Sequence, residues 1–236
     1  MRAAIVVAGG TGDRFGRSGG KQMAEVAGAP VVAHTLRAFD AASAIDAVVL
    51  VCHPDRVDEY RAAAEAVPAR KVVAVVSGGD TRRCSVAAGL EALPADTSVV
   101  AVHDGARPLI EPEVIDAAVA ALEARSDADG VVVGHPAYDT IKTVGASSVV
   151  TGTPDRATLW VAQTPQVFRV EPLRRAHVRA AREGFEGTDD ASLVERDGGV
   201  VLMHPGSRWN VKVTVPEDLV VVGALISARE EESTDG

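Results

Sequence analysis

The chain has no surplus of positive charge, few lysines, only two cysteines and no apolar run long enough to cross a membrane. Against 33 Asp and Glu stand 24 Lys and Arg, a net charge of −9. Non-specific binding to nucleic acid or to an anionic membrane needs an electropositive footprint, so neither partner is expected. An anionic substrate is expected only in a locally basic pocket. Lysine occurs only at positions 21, 71, 142 and 212. Lys21 and Lys212 lie in loop-like or strand-end surroundings, and a compact ammonium suits a single phosphate oxygen. Cys52 and Cys84 give no disulfide framework; both read as inert thiols, and the expected compartment is the cytoplasm. The apolar start is too short for a signal peptide or a membrane span. His34, His53, His103, His135, His177 and His204 offer no pair at metal-ligand spacing on a shared face.

What the chain does have is a short apolar run from Arg2 to Ala8 that opens into Gly9, Gly10, Gly12, Gly16, Gly19 and Gly20, with Arg14 among them and Lys21 after. Glycines let main-chain N–H groups approach an anion closely, and the two cations add full charge beside them. Such a loop suits phosphate. It matches neither of two familiar phosphate loops. The dinucleotide fingerprint needs a glycine where Phe15 stands and an acid closing the second strand, yet the run 47–53 ends in His53; this disfavours a nicotinamide-dependent oxidoreductase. The nucleoside-triphosphatase loop needs a glycine at position 15 and a hydroxyl where Gln22 stands.

Short β-branched runs alternate with longer helical patterns. Strands are predicted at 3–8, 47–52, 72–76, 99–103 and 130–134, all apolar throughout as a sheet covered on both faces requires. Helices are predicted at 30–42, 55–67, 81–93 and 111–125, with Pro30, Pro54 and Pro112 near their starts. The pattern predicts an α/β fold, a doubly wound and mostly parallel sheet, in one domain over 1–229. Ligands bind such sheets beyond the carboxyl ends of the strands. There the first strand meets the glycine loop, the third meets Ser77-Gly-Gly-Asp-Thr-Arg82, and the fourth meets His103-Asp-Gly-Ala-Arg-Pro108. The stretch 136–164 breaks the rhythm: Val149 to Arg156 reads as a turn-rich excursion between two extended segments. A β-arm leaving the domain predicts a homodimer. Helices at 171–183, 190–196 and 216–229, short strands at 200–203 and 210–213, and a frayed acidic tail at 230–236 complete the reading.

Seven segments in this order carry a resemblance. They are Ala8-Gly-Gly-Thr-Gly-Asp-Arg14 with Lys21-Gln22, Gly78-Gly-Asp-Thr-Arg-Arg-Cys-Ser85, Val102-His-Asp-Gly-Ala-Arg-Pro108, Asp139-Thr-Ile-Lys142, Gln163-Thr-Pro-Gln166, Thr188-Asp-Asp-Ala-Ser192 and Asn210-Val-Lys-Val-Thr214. Over nearly the whole chain they resemble the 2-C-methyl-D-erythritol 4-phosphate cytidylyltransferases. The sister ribitol-5-phosphate cytidylyltransferases share the glycine loop, the His-Asp…Arg-Pro loop and Thr-Pro-Gln, so either polyol phosphate is open as acceptor. The resemblance implies a nucleotidyltransferase fold and a magnesium-dependent transfer of cytidylyl from CTP to a polyol phosphate, in isoprenoid precursor synthesis for the methylerythritol branch.

It also implies roles. Ala8, Gly9, Gly10 and Gly12, with Arg14 and Lys21, would grip the triphosphate; Gly79, Asp80 and Ser85 would frame cytosine and ribose; Gly105 stands where the sugar passes. Asp104 would hold Mg2+. Arg107, Thr140, Thr164 and Thr188 would bind the polyol phosphate together with Lys212, and Arg156 would reach in from a partner's arm. Arg14, Lys21 and Lys212 are the implied catalytic cations. The family usually has proline before the lysine, where this chain has Gly20. Taken alone, Thr188 reads equally well as the N-cap of the following helix, and His103 as a packed strand-end residue. A nucleotide-binding regulator without catalysis is the remaining alternative.

Overall fold

The computed structural model describes residues 1–10, 15 and 20–234; Gly12 and Arg14, two expected phosphate contacts, lie outside the described residues. Strand β1 (Arg2–Ala8) leads through a hairpin, β2 (Glu25–Val26) and β3 (Ala29–Pro30), into α1 (Val31–Ala41) and β4 (Ala47–Cys52). Then come α2 (Val57–Glu65), β5 (Val72–Ser77), α3 (Arg82–Glu91), β6 (Val99–Asp104), α4 (Pro112–Glu123) and β7 (Gly130–Pro136). An excursion holding β8 (Thr143–Val144) and β9 (Val150–Gly152) precedes β10 (Trp160–Arg169), α5 (Val170–Glu183), α6 (Asp190–Arg196), β11 (Val201–Pro205) and α7 (Asp218–Thr234).

Seven strands form one sheet in the order β11-β7-β10-β6-β1-β4-β5. All are parallel to their neighbours except β10, which runs antiparallel to both β6 and β7. The mostly parallel sheet is therefore as expected, with one reversed strand. From β1 the chain steps to β4 and β5 on one side, then returns through β6 on the other, so the order reverses at β1. Crevices form where two connections leave adjacent strand ends in opposite directions. The register puts those ends in one row: Val7 pairs with Asp104, Ala8 with Cys52, and Cys52 with Ser77. The three glycine-bearing loops thus open on a single rim.

The central strands bury both faces, which is why they read as continuous apolar runs; every residue of β4 is buried. On one face Leu36 and Phe39 of α1, Tyr60 of α2, and Ile115 and Leu122 of α4 pack against the sheet. On the other lie Val86 and Leu90 of α3, Leu173 of α5, and Leu193 of α6. Each such side chain contributes about 1.5–3 kcal/mol by burial, enough to hold the rim rigid beneath a polar crevice. A third cluster gathers Phe15, Val26, Val31, Leu109, Val213 and Ile226. It ties the middle of the glycine loop, the hairpin and the 210–214 segment together at the same end of the molecule.

The structure departs from expectation in three places. Residues 210–213 are not a strand: Val213 is buried and its N–H donates to the Ala106 carbonyl at 2.8 Å, one main-chain bond to the β6 loop in place of a ladder. The last helix continues to Thr234 where a frayed tail was expected from 230, because the Glu-rich run that looked like a solvated tail is also a strong helix former. Strand β10 fills the slot between β6 and β7, and its antiparallel insertion interrupts the βαβ rhythm read from sequence. Between β7 and β10 the chain leaves the sheet, and Tyr138, Val144, Val149 and Val150 are exposed there. Among the described residues no helix is long and apolar enough to cross a membrane.

Candidate active site

Beyond the row of strand ends lies a cavity of about 540 Å³, lined among others by Gly9, Gly10, Lys21, Gly79, Asp80 and Ser85. A second of about 250 Å³ adjoins it, lined by Arg107, Gln163, Thr164, Gln166, Thr188 and Asp189. Arg82, Asp104 and Lys212 line both. The two cavities thus share one charged wall. Of the residues expected at a nucleotide, Gly9, Gly10, Lys21, Gly79, Asp80 and Ser85 line the first cavity and Ala8 and Gly105 line neither; of those expected at an acceptor, Arg107, Thr164 and Thr188 line the second. A further depression of about 360 Å³ beside the edge strand β5, between Arg61 and Val75, contains none of these residues.

Asp104 ends β6 and is the centre of that wall. Its Oδ2 lies 2.7 Å from the Lys212 ammonium and 3.8 Å from Arg107 Nε, and its Oδ1 accepts from Arg82 Nε at 3.4 Å. Burial alone would raise its pKa, but Lys212 and Arg82 outweigh that and hold the carboxyl well below the ordinary range. Asp104 is an acid among three cations, which favour its ionised form. Lys212 reaches it because Val213 is anchored in the core, so the preceding side chain faces the rim.

A chain of hydrogen bonds fixes the β6 loop from behind. The Asp104 N–H donates to Thr164 Oγ1 at 3.1 Å, Thr164 Oγ1 lies 3.1 Å from His103 Nδ1, and His103 Nε2 lies 3.2 Å from the Arg107 carbonyl. A carbonyl only accepts, so Nε2 carries the proton and Nδ1 receives the Thr164 hydroxyl. His103 is wholly buried and burial pushes its pKa down to about 3, so the ring is neutral. Asn210 clamps the other side: its Nδ2 donates to the Thr164 carbonyl at 2.8 Å, and its own carbonyl accepts from Arg107 Nη1 at 2.7 Å. Arg107 and Thr164 are thus positioned as much as exposed. Buried Arg107 Nε makes no hydrogen bond and faces Asp104 Oδ2 at 3.8 Å.

On the nucleotide side, the Ala8 carbonyl accepts from the Tyr60 hydroxyl at 3.0 Å, pinning the mouth of the glycine loop. Gly105 sits behind it; a Cβ there would lie 3.1 Å from Ala8 Cβ and 3.2 Å from the Val7 carbonyl, so the position demands a minimal residue. Gly20 holds φ +71°, a left-handed backbone closed to proline, on the approach to Lys21. Ser85 exchanges hydrogen bonds with the Gly79 main chain, both at 3.3 Å, and shapes that loop. Asp80 is exposed beside it.

Thr188 is exposed in the acceptor cavity, and capping falls to its neighbour: Asp189 accepts from the Ser192 N–H at 2.9 Å in a reciprocal capping box. The cap is therefore made by Asp189, and Thr188 is left at the cavity wall. Thr140 and Arg156 stand on the excursion, exposed, and line neither cavity; Arg156 Nη1 donates to the Tyr138 carbonyl at 3.0 Å. Arg82, Gln163, Gln166, Asp190 and Asn210 were not singled out from sequence, although all but Asp190 line or clamp the cavities. Each lies inside a quoted segment, so the signal was present; their roles required the fold.

Among the described residues no three His, Cys, Asp or Glu side chains converge on one point. A hard cation at this wall would have Asp104 as its single protein carboxylate, the remaining oxygens coming from phosphate and water. Magnesium accepts that donor set, and the ionised, cavity-facing Asp104 fits it.

The chain's relatives share this architecture and sequence. The family model IspD: 2-C-methyl-D-erythritol 4-phosphate cytidylyltransferase matches residues 2–228. The 2-C-methyl-D-erythritol 4-phosphate cytidylyltransferase of Pelotomaculum thermopropionicum is 45% identical over 229 residues, covering 97% of this chain and 95% of that protein. That of Thermosynechococcus vestitus is 41% identical, covering 98% and 97%. Among solved structures, 4-diphosphocytidyl-2C-methyl-D-erythritol synthase from Anaerococcus prevotii superposes with a TM-score of 0.84 at 28% identity, over 96% of each chain.

Proposed function

The chain belongs to the 2-C-methyl-D-erythritol 4-phosphate cytidylyltransferase family, and on that premise we propose how its rim carries out the reaction. It is a nucleotidyltransferase that joins CTP and 2-C-methyl-D-erythritol 4-phosphate, giving the CDP-linked polyol and pyrophosphate in the isoprenoid pathway. The observation that carries the mechanism is the wall of Arg82, Asp104 and Lys212 shared by two adjoining cavities.

The acceptor phosphate attacks the α-phosphorus of CTP; a P–O bond forms, and the bond to pyrophosphate breaks with its electron pair leaving on oxygen. A phosphate monoester's second pKa is about 6, so the nucleophile is ionised near neutrality and needs no base. The neutral, walled-in His103 is consistent with that. The obstacle is repulsion between two anions and charge building in the transition state. Fixed cations relieve it without reorganising at the moment of reaction. Lys21, with Arg14 and the main chain of Ala8, Gly9, Gly10 and Gly12, takes the triphosphate; Gly79, Asp80, Ser85 and Gly105 frame the nucleoside. Arg107, Thr164 and Thr188 take the acceptor, and Lys212 stands between. Magnesium held by Asp104 would supply charge neutralisation at the phosphates. In the free protein Lys212 holds that carboxylate, so ligand binding draws the ammonium toward phosphate.

The exposed apolar excursion supports a homodimer in which Thr140 and Arg156 complete the acceptor site of a second copy. Two unpaired cysteines suit a cytoplasmic protein. The deciding experiment is pyrophosphate release with CTP and magnesium, run in parallel with 2-C-methyl-D-erythritol 4-phosphate and with ribitol 5-phosphate. Release at least tenfold faster with the first is expected; preference for ribitol phosphate, or CTP binding without release under either, would overturn the assignment.

A further inference from the structure

Behind the shared wall runs a line of polar contacts that the site as assigned does not use. His177 of α5 is buried, and its Nε2 lies 3.0 Å from Oδ1 of Asp190, the first residue of α6. Asp190 is 1% exposed, and its Oδ2 accepts from Arg82 Nη1 at 2.6 Å. Arg82 Nε in turn reaches Asp104 at 3.4 Å. The other ring nitrogen of His177 has no hydrogen-bond partner, so the residue's polar contact is with Asp190 alone.

A carboxylate buried this deeply is costly unless paired. Its position is fixed from two directions: His177 holds one oxygen, and the next N–H, that of Ala191, donates to Gln166 Oε1 at 3.0 Å. Asp190 is therefore a rigid pivot, whereas Asp104 is shared with Lys212 and Arg107. Arg82, about a third exposed, projects from that pivot to line both cavities. Two of its five N–H donors are used by the acids. The other three belong to a side chain that lines both cavities.

We propose that Arg82 is a substrate-contacting cation that bridges the donor and acceptor phosphates, and that Asp190 and His177 are positioning residues that aim it. The inference rests on the cytidylyltransferase reading above. Arg82 acts on substrate; Asp190 acts only through Arg82; His177 acts only through Asp190.

The test is a double-mutant cycle on kcat/KM, joined to calorimetric binding of inorganic pyrophosphate. Arg82→Gln keeps an amide donor for Asp190 while removing the charge, so it separates the contact from the fold. It is expected to lower kcat/KM about a hundredfold, to raise KM for both substrates and to weaken pyrophosphate binding. Asp190→Asn and His177→Asn are each expected to cost about tenfold, the scale on which an orienting partner acts. In the Arg82→Gln background both should cost less than about twofold, since the route through which they act is gone. A purely structural role would instead give the same penalty in both backgrounds, and that result overturns the positioning claim. Wild-type turnover and pyrophosphate affinity in Arg82→Gln overturn the contact while leaving the cytidylyltransferase reading intact. A wild-type protein that releases no pyrophosphate overturns that reading, and the binding arm then still decides Arg82.

Discussion

His103 gives the sharpest quantitative test, because its neutrality is built into the site. The folded protein holds the ring unprotonated down to about pH 3, whereas the unfolded chain takes up a proton near 6.5. Between those values the unfolded state binds one proton more, so stability falls as pH drops. From pH 6.5, where the unfolded ring is half protonated, to pH 4.5 the loss is about 2 kcal/mol. Asp104 and Asp190, held below the unfolded carboxylate value near 3.9, stay ionised in both states over this window and add no slope. In His103→Asn the term is absent. That variant loses the ring's contacts with Thr164, the Arg107 carbonyl and Phe39, and is expected to be about 3 kcal/mol less stable at pH 7. Urea unfolding of both proteins at pH 7 and 4.5 should show the gap shrinking by about 2–3 kcal/mol at the lower pH. A gap of the same size at both would mean that His103 is not held neutral, and the proton assignment along Thr164, His103 and Arg107 would fall.

Lys21→Ala and Lys212→Ala should each cut turnover about a hundredfold or more, the scale of losing a preorganised charge contact; near-native turnover in steady-state assays would reject either role. Arg14→Ala, from the glycine loop, carries the same expectation. Asp104→Asn should raise the magnesium concentration for half-maximal turnover about tenfold or more, and an unchanged metal titration would remove it as ligand. Light scattering at micromolar concentration should give the mass of two chains, and Arg156→Ala should weaken acceptor affinity without changing that mass; a single-chain mass would rule out the shared arm.

The layered sheet was legible because its central strands are buried on both faces and so read as uninterrupted β-branched runs. What defeated sequence reading was β10, whose Gln163, Thr164 and Gln166 break the apolar pattern because they face the acceptor cavity and not the core. A strand that carries the site looks irregular for that reason. Lys212 stands out in the sequence as a rare cation, but its supposed strand is an irregular segment held by the Val213 N–H and by Asn210. The cap that the sequence also allowed to Thr188 is made by its neighbour Asp189. Arg82 and Asp190 lie 108 residues apart in the chain, with His177 between them in sequence. Only the packing of α3 against α5 and α6 brings them into line.

A crystal of the protein soaked with CTP and magnesium tests the central claim most directly. The triphosphate should lie along Gly9, Gly10 and Lys21 with its α-phosphorus beside Lys212 and Arg82, and the acceptor cavity lined by Arg107 and Thr188 should stay open. Nucleotide bound instead in the depression beside β5, or with its phosphates turned away from the Arg82, Asp104 and Lys212 wall, would contradict the account.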